Sequence, residues 1–113
     1  MNKTIAGYHL LMILSAVDYR MPAAGDAVIR RYLVHEFPIH VNLDREMATI
    51  SALHPAEWES HFLKAADDFY DDATEYERRS FLDFAIQLAK ADEVITHAEN
   101  RYLNMLFEQW EPV

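Results

Sequence analysis

Hydrophobic positions along the chain recur with a period near 3.6 residues rather than 2, which favours helices throughout. Glycine occurs only twice, and β-branched and aromatic residues do not alternate with polar ones. The clearest stripe consists of Trp58, Phe62, Ala65 and Phe69, which stand at i, i+4, i+7 and i+11. These four side chains share one face of a helix. The pattern therefore predicts an all-α fold.

The first predicted helix carries the most apolar stretch of the chain. Thr4 can cap this helix, which we expect to run to about Tyr19. Residues 10–17 are apolar on nearly every side, with Ser15 as the exception. A helix without a polar face is surrounded by other helices. We therefore expect this helix at the centre of the molecule.

Two further helices follow, each with one apolar face. Pro22 starts the second helix and Pro38 ends it, because proline fits a first helical turn and disfavours helix in the residue before it. Asn42 opens the third helix. The predicted buried faces are Val28, Ile29, Tyr32, Leu33 and Phe37 in the second helix, and Leu43, Met47 and Ile50 in the third.

Capping signals mark the last helices. Pro55 starts the fourth helix. Thr74 and Glu77 form a Ser/Thr-x-x-Glu capping box for a fifth helix that we expect to reach about residue 91. Thr96 and Glu99 repeat this signal for a sixth helix. The buried face of the sixth helix is predicted to contain Leu103, Leu106, Phe107 and Trp110.

The chain resembles itself when it is shifted by 74 positions, which places residues 10–33 over residues 84–107. Asp18 then coincides with Asp92, and in both segments an aliphatic residue follows three places later. Each segment is interpreted as a helix, a five-residue loop and another helix. The predicted fold is a compact bundle of six or seven helices with two pseudo-repeated helix-loop-helix halves.

The length, charge and cysteine content of the chain disfavour several classes of protein. The 113 residues suit a single domain over 1–113. Nineteen acidic against ten basic residues give a formal net charge of −9, which disfavours nucleic acid and anionic membrane surfaces as partners. No stretch approaches the roughly 20 apolar residues of a membrane span, and the absence of cysteine excludes thiolate chemistry. This composition, without a membrane span, leads us to expect a cytoplasmic protein. No serine stands in a nucleophile motif, so we do not expect an enzyme.

Asp92 and Glu99 allow two interpretations. An Asp at a helix end can accept hydrogen bonds from free backbone N–H groups, and Glu99 already belongs to the predicted capping box. Alternatively, these carboxylates and that of Asp18 are hard oxygen ligands for a divalent cation: Ca²⁺, Mg²⁺ or Mn²⁺, with Zn²⁺ as a further candidate. His54, which precedes Pro55, is expected to be a capping or loop residue rather than a zinc ligand.

The second loop carries a family resemblance. Residues 89–99, Ala-Lys-Ala-Asp-Glu-Val-Ile-Thr-His-Ala-Glu, are similar to the A-x-A-D-G-x-I-x-x-x-E signature of the TerB-like tellurite-resistance family. Residues 16–25 resemble a degenerate first copy of this signature. The acidic and arginine residues within 75–79 resemble the run that usually precedes the second copy. The resemblance covers residues 4–110.

The resemblance implies a bundle of two pseudo-symmetric halves, a fold shared with the central domain of a membrane-anchored DnaJ-like co-chaperone. It also implies a role in bacterial stress or tellurite resistance, metal binding by acidic residues, and no enzymatic activity. Asp92 and Glu99 match the acidic pair of the second signature. Asp18 matches the first, where Gly25 stands in place of the glutamate.

We therefore expect a non-catalytic module that binds a protein partner or a divalent cation through an acidic face. The alternative is a purely structural, co-chaperone-like interaction module without a metal site, in which the acidic residues only cap helices.

Overall fold

The computed structural model describes residues 1–17, 23–37, 41–90 and 95–110, without the side chains of residues 23–25. It contains six α-helices in these ranges: α1 (Lys3–Ala16), α2 (Ala23–Glu36), α3 (Leu43–Ser51), α4 (Trp58–Asp72), α5 (Glu75–Ala89) and α6 (His97–Trp110). A 3₁₀ turn over Pro55–Glu57 precedes α4. No strand occurs in the described ranges, and the all-α prediction is confirmed. None of the described helices is long and apolar enough to cross a bilayer.

Helix α1 lies at the centre of the molecule, as its apolar pattern predicts. All five other helices pack against it, and α4 does so most extensively. Its buried residues are Thr4, Ala6, Gly7, Tyr8, His9, Leu10, Leu11, Met12, Ile13, Leu14 and Ala16. Helix α1 therefore forms the core around which the other helices are arranged.

The ends of α1 differ from the sequence prediction. Asn2 rather than Thr4 is the N-cap, because Asn2 Oδ1 accepts a hydrogen bond from Ile5 N at 2.9 Å. Asn caps a helix at least as well as Thr, so the helix begins earlier and Thr4 is buried in its first turn. The helix ends at Ala16, and Tyr19 lies outside the described residues.

The predicted faces of α2 and α3 are mostly confirmed. Their fully buried members are Ile29, Leu33, Phe37, Leu43 and Ile50. The prediction was wrong for Val28 and Met47, which are 43% and 38% exposed. Val28 is turned about 100° from Ile29 around the helix axis, outside the stripe of α2 that is buried. Met47 lies at the edge of the buried face of α3, where Arg30 Nη2 donates a hydrogen bond to the Met47 sulfur at 3.6 Å.

Aromatic side chains fill the space between α4 and α6. The predicted stripe of α4 is confirmed, since Phe62, Ala65 and Phe69 are fully buried and Trp58 is half-buried. Phe69 stacks on Trp110 with ring centroids 5.1 Å apart. Trp110 Nε1 donates a hydrogen bond to Ala66 O at 2.9 Å, which satisfies the one polar atom of the buried indole.

Gly7 lets α1 approach its neighbours closely. A Cβ at this position would lie 3.1 Å from Phe81 Cε2 and 3.2 Å from Leu33 Cδ2, which are closer than ordinary van der Waals contacts. The glycine therefore sets how near α1 lies to α2 and α5.

Candidate functional site

The capping role predicted for Glu99 is present in the structure. Thr96 N donates to Glu99 Oε1 at 3.1 Å, and Glu99 N donates to Thr96 Oγ1 at 3.1 Å. Glu99 is only 8% exposed. The other two candidate metal ligands, Asp18 and Asp92, lie outside the described residues. The carboxylate of Glu99 is therefore used at the start of α6.

Two further caps follow the sequence prediction. Thr74 and Glu77 form the reciprocal capping box of α5, at 2.9 and 3.1 Å. His54 is a capping residue as expected: its Nδ1 accepts a hydrogen bond from Ala56 N, and Glu57 Oε1 accepts one from His54 N. Both side chains are therefore used at the start of the 3₁₀ turn.

Acidic residues near the end of α4 serve the start of α1. Asp72 Oδ2 accepts a hydrogen bond from Lys3 N at 2.9 Å, and Asp68 Oδ2 lies 3.1 Å from Met1 N. Helix α1 has no acidic residue in its own first turn. Negative charge stabilises the N-terminus of a helix, where the macrodipole is positive. The acids of α4 therefore supply a charge that the sequence of α1 lacks.

Arg78 compensates the carboxyl end of α4. Its Nη1 donates to Ala73 O at 2.8 Å and to Tyr70 O at 3.4 Å. The guanidinium carbon also lies 4.1 Å from the centroid of the Tyr70 ring. A cation at free carbonyl groups offsets the repulsion that acidic residues cause at a helix C-terminus.

The turn between α4 and α5 presents an exposed surface of acidic and tyrosine side chains. We call Tyr70, Asp71, Glu75 and Tyr76 the corner surface. Tyr76 is 77% exposed and Tyr70 is 36% exposed. Asp71 is also exposed, and among the described residues it forms no ion pair. Glu75 pairs with Arg79, its one ion-pair partner in the part of the chain that the structure describes, and both side chains are at least 70% exposed.

A buried histidine lies at the junction of α1, α3 and α4. His9 Nδ1 is 2.6 Å from His61 Nε2, and His9 Nε2 is 2.7 Å from Glu46 Oε1. His9 is 2% exposed, and its ring centroid lies 4.8 Å from that of His61, with the two ring planes 29° apart. The three side chains form a continuous chain from the carboxylate through both imidazoles.

This arrangement does not match a metal site. Glu46 and His61 bind opposite edges of the His9 ring, so the three side chains do not converge on one point. Two imidazole ligands of tetrahedral zinc would stand about 3.3 Å apart, given Zn–N bonds near 2.05 Å. Within residues 1–17, 23–37, 41–90 and 95–110, no group of three or more His, Asp or Glu side chains could hold a metal ion.

The environment of His61 disfavours its charged form. Burial lowers the pKa of His61, and the charges of His9 and Lys64 lower it further, while Glu57 acts in the opposite direction. A neutral His61 can accept or donate at Nε2 according to its tautomer. The role of His61 Nε2 in the contact with His9 therefore depends on the tautomer of His61.

The contact between His9 and His61 is not predictable from the sequence. His9 directly precedes the apolar residues 10–17, but its partners lie 37 and 52 positions away in the chain. Helical periodicity shows which residues share a face, but it does not show which helices pack together. A polar residue inside an otherwise apolar helix was the signal that such a partner exists.

Comparison with known proteins adds no assignment: no family model matches the chain, and no curated protein or solved structure is significantly similar to it. The structural observations above are therefore the basis for a functional proposal.

Proposed function

We propose that the chain is a non-catalytic, TerB-like helical module that binds a protein partner through the corner surface. This proposal rests on the different environments of the acidic side chains. Glu99, Asp72 and Glu77 accept hydrogen bonds at helix starts, whereas the exposed Asp71 and Glu75 lie at the end of α4 and the start of α5. The exposed Tyr70 and Tyr76 are their neighbours in the sequence. The first three carboxylates are used within the fold, whereas Asp71 and Glu75 are accessible to a partner protein, and the Glu75 carboxylate contacts the exposed Arg79.

The chemistry of the corner surface fits a protein partner with basic residues. Tyrosine combines a large apolar ring with a hydroxyl group and loses little conformational entropy on binding, so it is frequent at interfaces. Carboxylates beside it attract lysine or arginine side chains and increase the rate of encounter. A formal charge of −9 strengthens this attraction over the whole molecule.

The TerB-like assignment within this proposal is supported by the signature at residues 89–99 and by the all-helical fold. The TerB-like assignment implies a role in bacterial stress or tellurite resistance. The metal function of Asp18, Asp92 and Glu99 is the competing proposal. The use of Glu99 in a capping box favours the protein-binding interpretation.

A thermal melt of the metal-stripped protein separates the two proposals. If the chain binds a protein partner rather than a cation, we expect no change in Tm on addition of Ca²⁺, Mg²⁺, Mn²⁺ or Zn²⁺. A cation at one hundred times its Kd would stabilise the fold by about 2.7 kcal/mol, which is roughly ten degrees for a domain of this size. Such an increase, lost in Asp92→Asn, would replace the protein-binding proposal with a cation-dependent one.

Binding through the corner surface is tested by matched affinity captures from a bacterial lysate. The wild type and Tyr76→Ala are compared, with Glu108→Gln as a control because Glu108 is an exposed acid on α6. The proposal expects a protein that is retained by the wild type and by Glu108→Gln and is lost with Tyr76→Ala. Equal retention by all three variants would exclude the corner surface.

A further inference from the structure

We propose that His9, His61 and Glu46 form a proton-operated switch, which holds one proton with its hydrogen bonds intact and separates α1 from α4 when a second arrives. This inference does not depend on the corner surface or on a metal. It rests on the geometry of three side chains from three helices, two contacts of 2.6 and 2.7 Å and the burial of the central ring.

In the deprotonated state each ring nitrogen has one defined role. The Glu46 carboxylate can only accept, so His9 Nε2 carries the hydrogen. A neutral His9 then has a lone pair on Nδ1. His61 must therefore donate from Nε2 to His9 Nδ1. The tautomers follow from the network, and both hydrogen bonds are satisfied.

The first added proton leaves the network complete. Protonated His9 donates from Nε2 to Glu46 and from Nδ1 to His61. His61 changes tautomer, so that its hydrogen moves to Nδ1 and Nε2 becomes the acceptor. The charge on His9 lies against the Glu46 carboxylate, which compensates it inside the protein. No hydrogen bond is lost at this step.

The second proton breaks the network. With both rings charged, His9 Nδ1–H and His61 Nε2–H point at each other across 2.6 Å. Two donors and two positive charges then occupy a contact that needs one acceptor. His9 of α1 is fully buried, whereas His61 of α4 is only half-buried. We therefore expect the His61 ring to move away from His9. Its departure disturbs the most extensive helix contact of the molecule.

The charged groups around the pair set the direction of the response. Glu46 of α3 faces His9, Glu57 of the 3₁₀ turn favours a charge on His61, and Lys64 of α4 opposes it. Because burial and the like charges dominate, the pKa of His61 in the fold lies below its ordinary value of 6.5. The unfolded chain then binds more protons than the folded chain just below pH 6.5. Stability is complete above that pH and falls as the pH drops toward the lowered pKa.

Unfolding midpoints measured from pH 8 to pH 5 test the switch. His61→Gln keeps an amide donor for His9 Nδ1 but does not titrate. His35→Gln is the matched control, since the His35 side chain is 85% exposed. The wild type and His35→Gln are expected to lose stability below pH 6.5, together with faster hydrogen exchange in α1. His61→Gln should show a smaller loss. The same pH profile in all three proteins would overturn the proposal.

A second measurement uses the wild type alone and does not depend on how the variants fold. Imidazole ¹⁵N shifts are expected to show His61 changing from the Nε2–H to the Nδ1–H tautomer while it stays neutral and His9 becomes charged. Protonation of His61 before His9 would contradict the switch. Stabilisation by Zn²⁺ that both His9→Gln and His61→Gln abolish would also overturn it, because the pair would then be a metal site.

Discussion

Asp72, the last residue of α4, accepts a hydrogen bond from the backbone N–H of Lys3, the first residue of α1. The two residues are 69 positions apart in the chain. One helix thus provides the negative charge that another helix needs at its start. Arg78 of α5 provides the positive charge for the end of α4 in the same way. Helix ends are therefore stabilised between elements as well as within them.

Removal of this interhelical cap should destabilise the fold. Asp72→Ala is expected to lower the free energy of unfolding by about 1 kcal/mol, because it removes both an acceptor and a charge from the start of α1. Urea denaturation measures this change. Asp71→Ala is the control, since the Asp71 side chain is exposed and has no ion pair among the described residues. Equal losses in both variants would mean that the hydrogen bond to Lys3 N contributes nothing specific.

Substitutions of Glu99 separate the contribution of its capping hydrogen bond from that of its charge. Glutamine can take the same place in a capping box, so Glu99→Gln should change the free energy of unfolding by less than about 0.5 kcal/mol. Glu99→Ala removes the acceptor for Thr96 N and should cost about 1 kcal/mol. Chemical denaturation of both variants without metal tests this order. A loss with Gln as large as that with Ala would show that the charge of Glu99 matters rather than its hydrogen bond.

Replacing glycine with alanine stabilises most helices, but we do not expect Gly7→Ala to stabilise this protein. Alanine is favoured over glycine in a helix by about 1 kcal/mol, but here the added methyl group meets Phe81 and Leu33 at 3.1 and 3.2 Å. Gly7→Ala is therefore expected to be no more stable than the wild type and up to about 2 kcal/mol less stable.

A double-mutant cycle tests this explanation for Gly7. Leu33→Val removes the δ carbons that the new methyl group would contact. The cost of Gly7→Ala should be smaller in the Leu33→Val background than in the wild type. Strictly additive effects would mean that the contact with Leu33 is not what limits α1 at this position.

The pairing of Lys3 with Glu77 predicts a dependence on acid pH. Burial acts to raise the pKa of Glu77, but hydrogen bonds from Lys3 Nζ and from the backbone of Thr74 outweigh it and leave the pKa below its usual value. A lowered pKa in the fold gives stability that is present above the unfolded value and is lost as the pH falls through the folded one. We expect Lys3→Met to raise the pKa of Glu77 and to lower stability at pH 7 by about 1 kcal/mol.

Carboxyl ¹³C shifts of Glu77 during a pH titration check this prediction. Lys64→Met is the matched control, because Lys64 makes a longer contact of 3.8 Å with Asp68 on the surface. The control should leave the titration of Glu77 unchanged. An identical titration curve in Lys3→Met would show that the capping hydrogen bonds alone hold the carboxylate in its charged form.

Local signals in the sequence predicted most of the fold. The capping boxes at Thr74 and Thr96 depend on residues three positions apart, and both are present in the structure. The stripe from Phe62 to Phe69 depends on positions along one helix, and it is buried. Val28 was misjudged because the width of a buried stripe depends on the neighbouring helix, which a single helical pattern does not contain.

The candidate sites were less accessible to prediction for the same reason. Asp72 lies at the end of its own helix, where an acid is unfavourable, and only the tertiary fold shows that it stabilises α1. His9 and His61 become partners through the packing of α1 against α4. Long-range pairs of this kind leave no spacing in the sequence from which they can be inferred.

The central position of α1 has a consequence for biosynthesis. A ribosome makes α1 before every helix that covers it, and its principal neighbour α4 ends at residue 72. Nascent chains that stop before this point expose α1, the most apolar of the described helices, to solvent. We therefore expect α1 to become buried only after α4 has emerged from the ribosome, and shorter nascent chains expose an apolar segment of the kind that chaperones hold.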